Sequence, residues 1–218
     1  MLEKLKEDVC RIAKQAQAEG LCKYKSGNFS ARDKETGYVA VTPSGVDRDF
    51  LSARDIIIMD MDFNVIENLA NLVPTSEVLV HIEIYRVRPE CLAIAHTHSK
   101  YATAFAVVGK PIPAIVFEMS VLGLKESEIP IAPYHLPGTI ELAHLVAKTT
   151  LKSDSVLMER HGVICAGKDV DDAYLKAAYV EEMAEIYLSA LVLNNGKNPK
   201  IFAQEEYQQH KYPKEIKL

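Results

Sequence analysis

The sequence predicts an α/β fold: a single domain built on a central, mainly antiparallel sheet with helices flanking both faces. Three observations lead there. The chain has 218 residues, 48% of them apolar, which is enough for one large core and short for two. Amphipathic segments of helical period stand near both ends, at 2–19 and 171–193. Between them, short β-rich runs mix with helical ones, without the regular strand–helix–strand alternation of a parallel sheet and without an internal repeat.

In chain order, Leu2, Leu5, Val9, Ile12, Ala13 and Ala16 mark one face of the first helix, closed by Gly20. "KSGNFSAR" follows as a small-residue turn, and "GYVAVTPSG" as a short strand entering a Pro-Ser-Gly turn. "ARDIIIMDMDFNVIE" reads as two strands joined by a tight turn at Met61–Asn64. "PTSEVLVHIEIYRVRPE" is helical, with Thr75 or Ser76 as cap and Val78, Ile82 and Tyr85 on one face. "CLAIAHTH" alternates only loosely, as a strand buried on both sides does. "SKYATAFAVVG" is a helix capped by its serine and stopped by its glycine, and "PAIVF" and "IPIAPY" are strands. "GTIELAHLVAKTTLK" is a helix, "DSVLMERHGVICAGKDV" two strands flanking Arg160–Gly162, and "DDAYLKAAYVEEMAEIYLSALVL" the last long helix. From about residue 195 the chain is polar and is expected to be a less ordered tail of the same domain.

Charge and composition exclude several functions. The formal net charge of −5 leaves no broad positive surface for a nucleic acid, so an anionic ligand must be held by local donors. No window has the ~18 uninterrupted apolar residues of a membrane helix. The N-terminal segment mixes both charge signs and lacks the apolar stretch and cleavage site of a signal peptide. Cys10, Cys22, Cys91 and Cys165 form no Cys-x-x-Cys pair, and each lies in or beside an apolar segment. Reduced, buried thiols in a soluble cytoplasmic protein are the expectation.

The residues able to carry chemistry start with "AIAHTHSKYA". Residues two apart in a strand face the same side, so His96 and His98 present their imidazoles together. A divalent ion can bridge such a pair, although many pairs of this kind are surface residues. His161, in "MERHGVICAG", sits between two apolar strands at a turn that Gly162 makes possible. It is either a plain turn histidine or the third imidazole of a metal-binding face. Three neutral nitrogens suit zinc and leave a position for carboxylate, water or substrate. Glu77, in "PTSEVLV", falls in the first turn of its helix. There it either helps start the helix through the dipole or serves as fourth ligand and base. His81, His135, His144 and His210 are read as structural. The turns "KSGNFS", "TPSG" and "PTSE" offer hydroxyls and backbone N–H groups. Singly each is an ordinary turn; together they could wrap one phosphate. No Walker motif, Gly-x-Gly-x-x-Gly or His-Glu-x-x-His is present.

The ordered set "SGNFS", "TPSG", "PTSE", "HTHS" and "RHG" resembles the class II aldolase and adducin family from about residue 5 to about 190. The match is nearest to the family's fuculose-phosphate aldolase branch. This resemblance implies a zinc enzyme, a homotetramer with active sites at subunit interfaces, and a phosphorylated sugar as substrate, with no nucleic-acid or membrane partner. It implies that His96, His98 and His161 bind zinc, and that Glu77 ligates metal at rest and moves protons in turnover. It places Gly27 and Asn28, Ser44 and Gly45, and Thr75 and Ser76 around the phosphate. The reaction implied is aldol cleavage of a ketose 1-phosphate, L-fuculose 1-phosphate in this branch, to dihydroxyacetone phosphate and L-lactaldehyde.

Two other branches of the family provide alternatives. Its pentulose-5-phosphate 4-epimerase carries an Asp-Tyr pair after the histidine motif, which "PIPAIVFEMSVLG" lacks. Its adducin-head interaction domain keeps the fold and loses the metal residues, all of which stand here. One position departs from the aldolase pattern: Phe117 occupies the place of a catalytic tyrosine. Phenylalanine cannot donate a proton. Glu118, or a tail tyrosine reaching a neighbouring subunit, is then expected to act; Tyr212 fits better than Tyr207 by distance from the end.

Overall fold

The structure is a computed structural model and describes residues 1–208. The first helix, α1 (Glu3–Ala18), buries Val9, Ile12, Ala13 and Ala16 completely. Strands β1 (Asn28–Arg32), β2 (Val39–Val41), β3 (Ile57–Met59) and β4 (Val65–Glu67) follow as an antiparallel meander. After helix α2 (Val78–Val87), strand β5 (Ala93–Thr97) returns to pair with β1. Helix α3 (Lys100–Val107) then leads to a two-stranded ribbon of β6 (Ile112–Pro113) and β7 (Glu128–Ile129). β8 (Ile131–Ala132), α4 (Ile140–Thr150), β9 (Ser155–Met158), β10 (Gly162–Gly167), the long α5 (Val170–Leu193) and a short α6 (Gln204–Gln208) complete the order. The main sheet has eight strands in the order β4-β3-β2-β1-β5-β10-β9-β8. Every neighbouring pair is antiparallel except β8 and β9.

Alternation along β5 shows why the sheet is covered twice. Ala93 and Ala95 join the apolar layer made with α1, α3 and α5, while Ile94 joins the layer made with α2 and α4. Both sets are fully buried, as the unbroken apolar run of the sequence requires. All four cysteines are buried and free. Among the described residues, no helix is long and apolar enough to cross a membrane.

Several local expectations are corrected. "KSGNFSAR" is not a turn throughout: the turn ends at Gly27, and Asn28–Arg32 is strand β1. Its polar residues look like loop residues because Asn28 and Ser30 satisfy buried polar partners in place of packing as hydrocarbon. The capping serine of α3 is not the cap. Ser99 stands at the N-cap position without a side-chain hydrogen bond; instead the Glu181 carboxylate, from α5, accepts from the N–H of Tyr101 at 2.9 Å and of Ala102 at 2.9 Å. A carboxylate on the first N–H groups of a helix also meets the positive end of its dipole. "PAIVF" is not a strand: β6 stops at Pro113, and Phe117–Leu122 coils into a 3-10 turn. "IPIAPY" is split at Pro130, with β7 in the ribbon and β8 in the main sheet, since proline has no N–H for a continuous ladder.

Candidate metal centre and active site

Side chains from three places in the chain meet at one end of the sheet. The register sets Asn28 of β1 and Ile164 of β10 on either side of His96 in β5. His98 follows one residue beyond β5, His161 ends the β9–β10 turn, and Glu77 precedes α2. Glu77 is not in the first turn as expected. α2 begins at Val78, and neither Thr75 nor Ser76 caps it; Glu77 itself holds the N-cap position. There the Val78 N–H donates to the Thr75 carbonyl at 3.2 Å, and the Glu77 carboxylate meets His96 of β5.

His96 Nε2 lies 2.9 Å from His98 Nε2 and 2.9 Å from Glu77 Oε2; His161 Nε2 lies 3.2 Å from Glu77 Oε1. The three ring centroids are 4.8, 4.9 and 5.0 Å apart, with interplanar angles of 70°, 76° and 81°. The imidazoles thus stand like three faces of a corner, and one ligand atom from each of the four residues falls within 4.8 Å of the others.

Gly162 has a different role from the one expected. Arg160 is the residue of the β9–β10 turn with positive φ, at 57°. Gly162 is needed for close approach: a Cβ there would lie 2.4 Å from the Thr97 carbonyl oxygen and 3.1 Å from His98 Cδ2. Gly27, with φ 72°, is needed on both grounds, since its Cβ would lie 2.7 Å from the His96 carbonyl oxygen.

The electrostatics match a cation site. His96 Nδ1 is 2.8 Å from the Val163 carbonyl, which only accepts, so this nitrogen carries hydrogen and Nε2 faces the cluster. Burial alone would lower the His96 pKa, yet the Glu77 carboxylate raises it. Burial, reinforced by His96, pushes His98 down to about 3 and His161 down to about 4. For Glu77, burial opposes ionisation, but His96, His161 and the Asn28 amide bring its carboxyl well below the usual range. Glu77 and His96 thus favour each other's charged forms, with two neutral imidazoles beside them. Glu77 Oε1 and His161 Nδ1 are buried without a hydrogen-bond partner. Three imidazoles and one carboxylate, short of compensating donors, fit a divalent metal ion of borderline softness.

Beside the cluster opens a cleft of about 210 Å³. This is below the roughly 300–1,000 Å³ of sites for drug-sized ligands and leaves room for a small molecule only. All three turns named from sequence line it: Gly27 and Asn28, Ser44 and Gly45, Thr75 and Ser76. The structure narrows what each can offer. The Asn28 side chain is committed to Glu77 and His81, and the N–H groups of Ser44 and Thr75 donate to Val73 and Thr42 carbonyls. The exposed hydroxyls of Ser44 and Ser76 and the glycine backbone remain for an anion. Glu118 is exposed in the 3-10 turn and does not line this cleft. Tyr207 lies within α6, and Tyr212 and His210 lie outside the described residues.

Sequence reasoning missed four participants. Lys25 and Pro137 also line the cleft, Lys25 as an exposed cation next to the first turn. Arg48 is 2% exposed, donates to the Gly27 carbonyl at 2.6 Å, and has no ion-pair partner among the described residues. His81, read as structural, is wholly buried and bonded to Asn28. A signal for His81 was present: Glu77, His81 and Tyr85 recur every four residues from the start of α2, and Asn28 and Ser30 alternate on the facing strand.

Comparison with known proteins places the chain in a family. The family model of the class II aldolase and adducin N-terminal domain matches residues 7–188. A 5-deoxy-D-ribulose 1-phosphate aldolase of Bacillus thuringiensis is 31% identical over 206 residues, covering 94% of this chain and 93% of its own. A 5-methylthioribulose-1-phosphate/5-deoxyribulose-1-phosphate aldolase of Escherichia coli is 35% identical over 185 residues, covering 85% and 84%. Among solved structures, an L-fuculose 1-phosphate aldolase superimposes with a TM-score of 0.87 at 32% identity, over 94% of this chain and 93% of that one.

Proposed function

This chain belongs to the class II aldolase and adducin family, and from that premise we propose that it is a zinc-dependent aldolase cleaving a ketose 1-phosphate to dihydroxyacetone phosphate and an aldehyde. The observation that carries the reading is the convergence of Glu77, His96, His98 and His161 beside a cleft ringed by small-residue turns. An adducin-like interaction domain has no use for that cluster.

Glu77, His96, His98 and His161 would hold the metal, which would supply a Lewis acid to the charge developing on the substrate. Neutral imidazoles leave that acidity undiminished, as thiolates would not. Ser44 and Ser76, the glycine turns and Lys25 fix the phosphate, so that C3 is presented to the cluster in one orientation. In cleavage, a second acid–base group takes the proton of the C4 hydroxyl, the C3–C4 bond breaks, and its electron pair stays on C3. Glu77, taking up a proton from solvent, then gives it to C3, and the second group releases the C4 proton to solvent; in the synthetic direction Glu77 removes the C3 proton. Tyr212, with Tyr207 or Glu118 as the other candidates, is proposed as the second group, reaching the cleft of a neighbouring subunit in a homotetramer.

L-Fuculose 1-phosphate, giving L-lactaldehyde, is one substrate; 5-deoxyribulose 1-phosphate, giving acetaldehyde, is the other. They share the phosphate and C1–C3 and differ in the aldehyde. Relatives that span most of the chain carry both kinds of name, 5-deoxyribulose 1-phosphate aldolase and L-fuculose 1-phosphate aldolase, which supports testing both.

The test is a coupled assay of dihydroxyacetone phosphate release across a panel of ketose 1-phosphates, with a pentulose 5-phosphate as control. Release from at least one ketose 1-phosphate, lost with a chelator and restored by zinc, is expected. No release from any by metal-loaded protein, or epimerisation of the pentulose alone, rejects the proposal. Glu77→Gln is expected to leave proton exchange at C3 of dihydroxyacetone phosphate about 10²–10⁴-fold slower, the usual contribution of one acid–base group, while zinc stays bound. Exchange at the normal rate would remove Glu77 from this role.

A further inference from the structure

Behind Glu77, buried polar side chains form one continuous file of hydrogen bonds. Asn28 Nδ2 donates to Glu77 Oε2 at 3.0 Å, and Asn28 Oδ1 lies 2.6 Å from His81 Nε2. His81 Nδ1 lies 2.6 Å from Ser30 Oγ, which lies 2.7 Å from the Tyr85 hydroxyl. Ser30 and His81 are 0% exposed, Tyr85 1% and Asn28 5%, so water does not complete these pairs.

The direction of every bond follows from one charge. An ionised Glu77 only accepts, so Asn28 must turn its NH₂ towards it. The amide oxygen then faces His81, and Nε2 must be the ring nitrogen that carries hydrogen. Burial keeps His81 neutral, its pKa pushed down to about 3. Nδ1 is therefore bare and accepts from Ser30, whose oxygen in turn accepts from Tyr85. Running the file backwards would leave the buried Tyr85 O–H without an acceptor, because Ser30 is its one hydrogen-bond partner among the described residues. The arrangement is one-way.

We infer that Tyr85, Ser30 and His81 are positioning residues that hold the Asn28 amide with its NH₂ on Glu77 Oε2, leaving Oε1 as the oxygen that carries the C3 proton. Oε1 is buried and, with Asn28 committed to Oε2, faces only His161 Nε2, at 3.2 Å. The second half of the inference rests on the proton role proposed for Glu77; the first half does not depend on any reaction.

The two halves are tested separately. In full-length, zinc-loaded protein with isotope-labelled histidine, long-range proton–nitrogen correlation is expected to show neutral His81 with its hydrogen on Nε2. Hydrogen on Nδ1, or on both nitrogens, overturns the inference whatever the protein catalyses. In Ser30→Ala the hydrogen is expected to stay on Nε2, held by Asn28 Oδ1, while the Nδ1 resonance moves to the position of a nitrogen that accepts no hydrogen bond; an unmoved Nδ1 resonance removes Ser30 and Tyr85 from the file. For turnover, His81→Leu is expected to lower kcat about 10–100-fold with KM within about 2-fold and zinc retained, the usual cost of losing a supporting hydrogen bond behind a metal ligand. His81→Gln, whose amide can still donate to Asn28, should recover part of that loss. Equal loss in both variants, or loss that only follows a fall in melting temperature and zinc content, would assign His81 to packing. Should His81→Leu not fold, the Ser30→Ala spectrum and kcat decide in its place.

Discussion

His96→Ala is expected to empty the metal site and abolish carbon–carbon cleavage. The His96 side chain touches two other members of the cluster directly. Its Nε2 faces both Glu77 Oε2 and His98 Nε2 at 2.9 Å, its Nδ1 is anchored to the Val163 carbonyl, and the ring is 0% exposed. Alanine removes a ligand and leaves Glu77 buried without its main partner, an uncompensated charge that is costly to keep. The loss of metal affinity should exceed the roughly 10–100-fold that follows from removing a supporting hydrogen bond. Zinc content after dialysis and dihydroxyacetone phosphate release measure it. A His96→Ala protein as active as the parent after exhaustive chelation would exclude the metal mechanism.

Gly162→Ala is the second large effect, and it touches no ligand atom. The new methyl would sit 2.4 Å from the Thr97 carbonyl, 3.1 Å from His98 Cδ2 and 3.2 Å from His96 Cε1. Thr97 is paired with Val163 in the β5–β10 ladder, so the carbonyl cannot retreat without parting the central strands. Overpacking of this kind costs about 1–3 kcal/mol, and for a domain of this size each 1 kcal/mol lowers the melting temperature by about 2–4 °C. The imidazoles on either side of the new methyl are displaced together. A misplacement near 1 Å can cost about 100-fold in rate, so turnover should fall by that order even with zinc in excess. Unchanged melting and turnover would show that β5 and β10 are not held as closely as described.

Much of the architecture could be read from residues alone because periodicity reports burial directly. The two-sided burial of β5, the Met61–Asn64 turn and the long helices follow from it. The metal cluster was partly legible for the same reason: strand alternation puts His96 and His98 on one side. Bringing His161 and Glu77 to them needs the order β1-β5-β10, which is tertiary information. Local rules failed where a distant group took over a local duty. Ser99 looks like the cap of α3, but Glu181 from α5 satisfies those N–H groups instead. Asn28 and Ser30 read as a turn because polar residues in a strand are unusual, and their justification lies on α2. Gly162 reads as a turn glycine because the space forbidden to its side chain belongs to β5. Arg48 was invisible, since nothing in "GVDRDF" says that this arginine is buried under the Gly27 loop.

The central position of β5 also constrains how the protein can be made. β1, which covers one edge of it, precedes it in the chain, whereas β10, which covers the other, comes last among the strands. A polypeptide leaving the ribosome thus displays Glu77 ahead of α2, and His96 and His98 at the end of a strand with one open edge, before His161 has been synthesised. Cofactor delivery has to wait for that final hairpin to close, and until it does the nascent intermediate carries an unpaired edge that invites association with other chains.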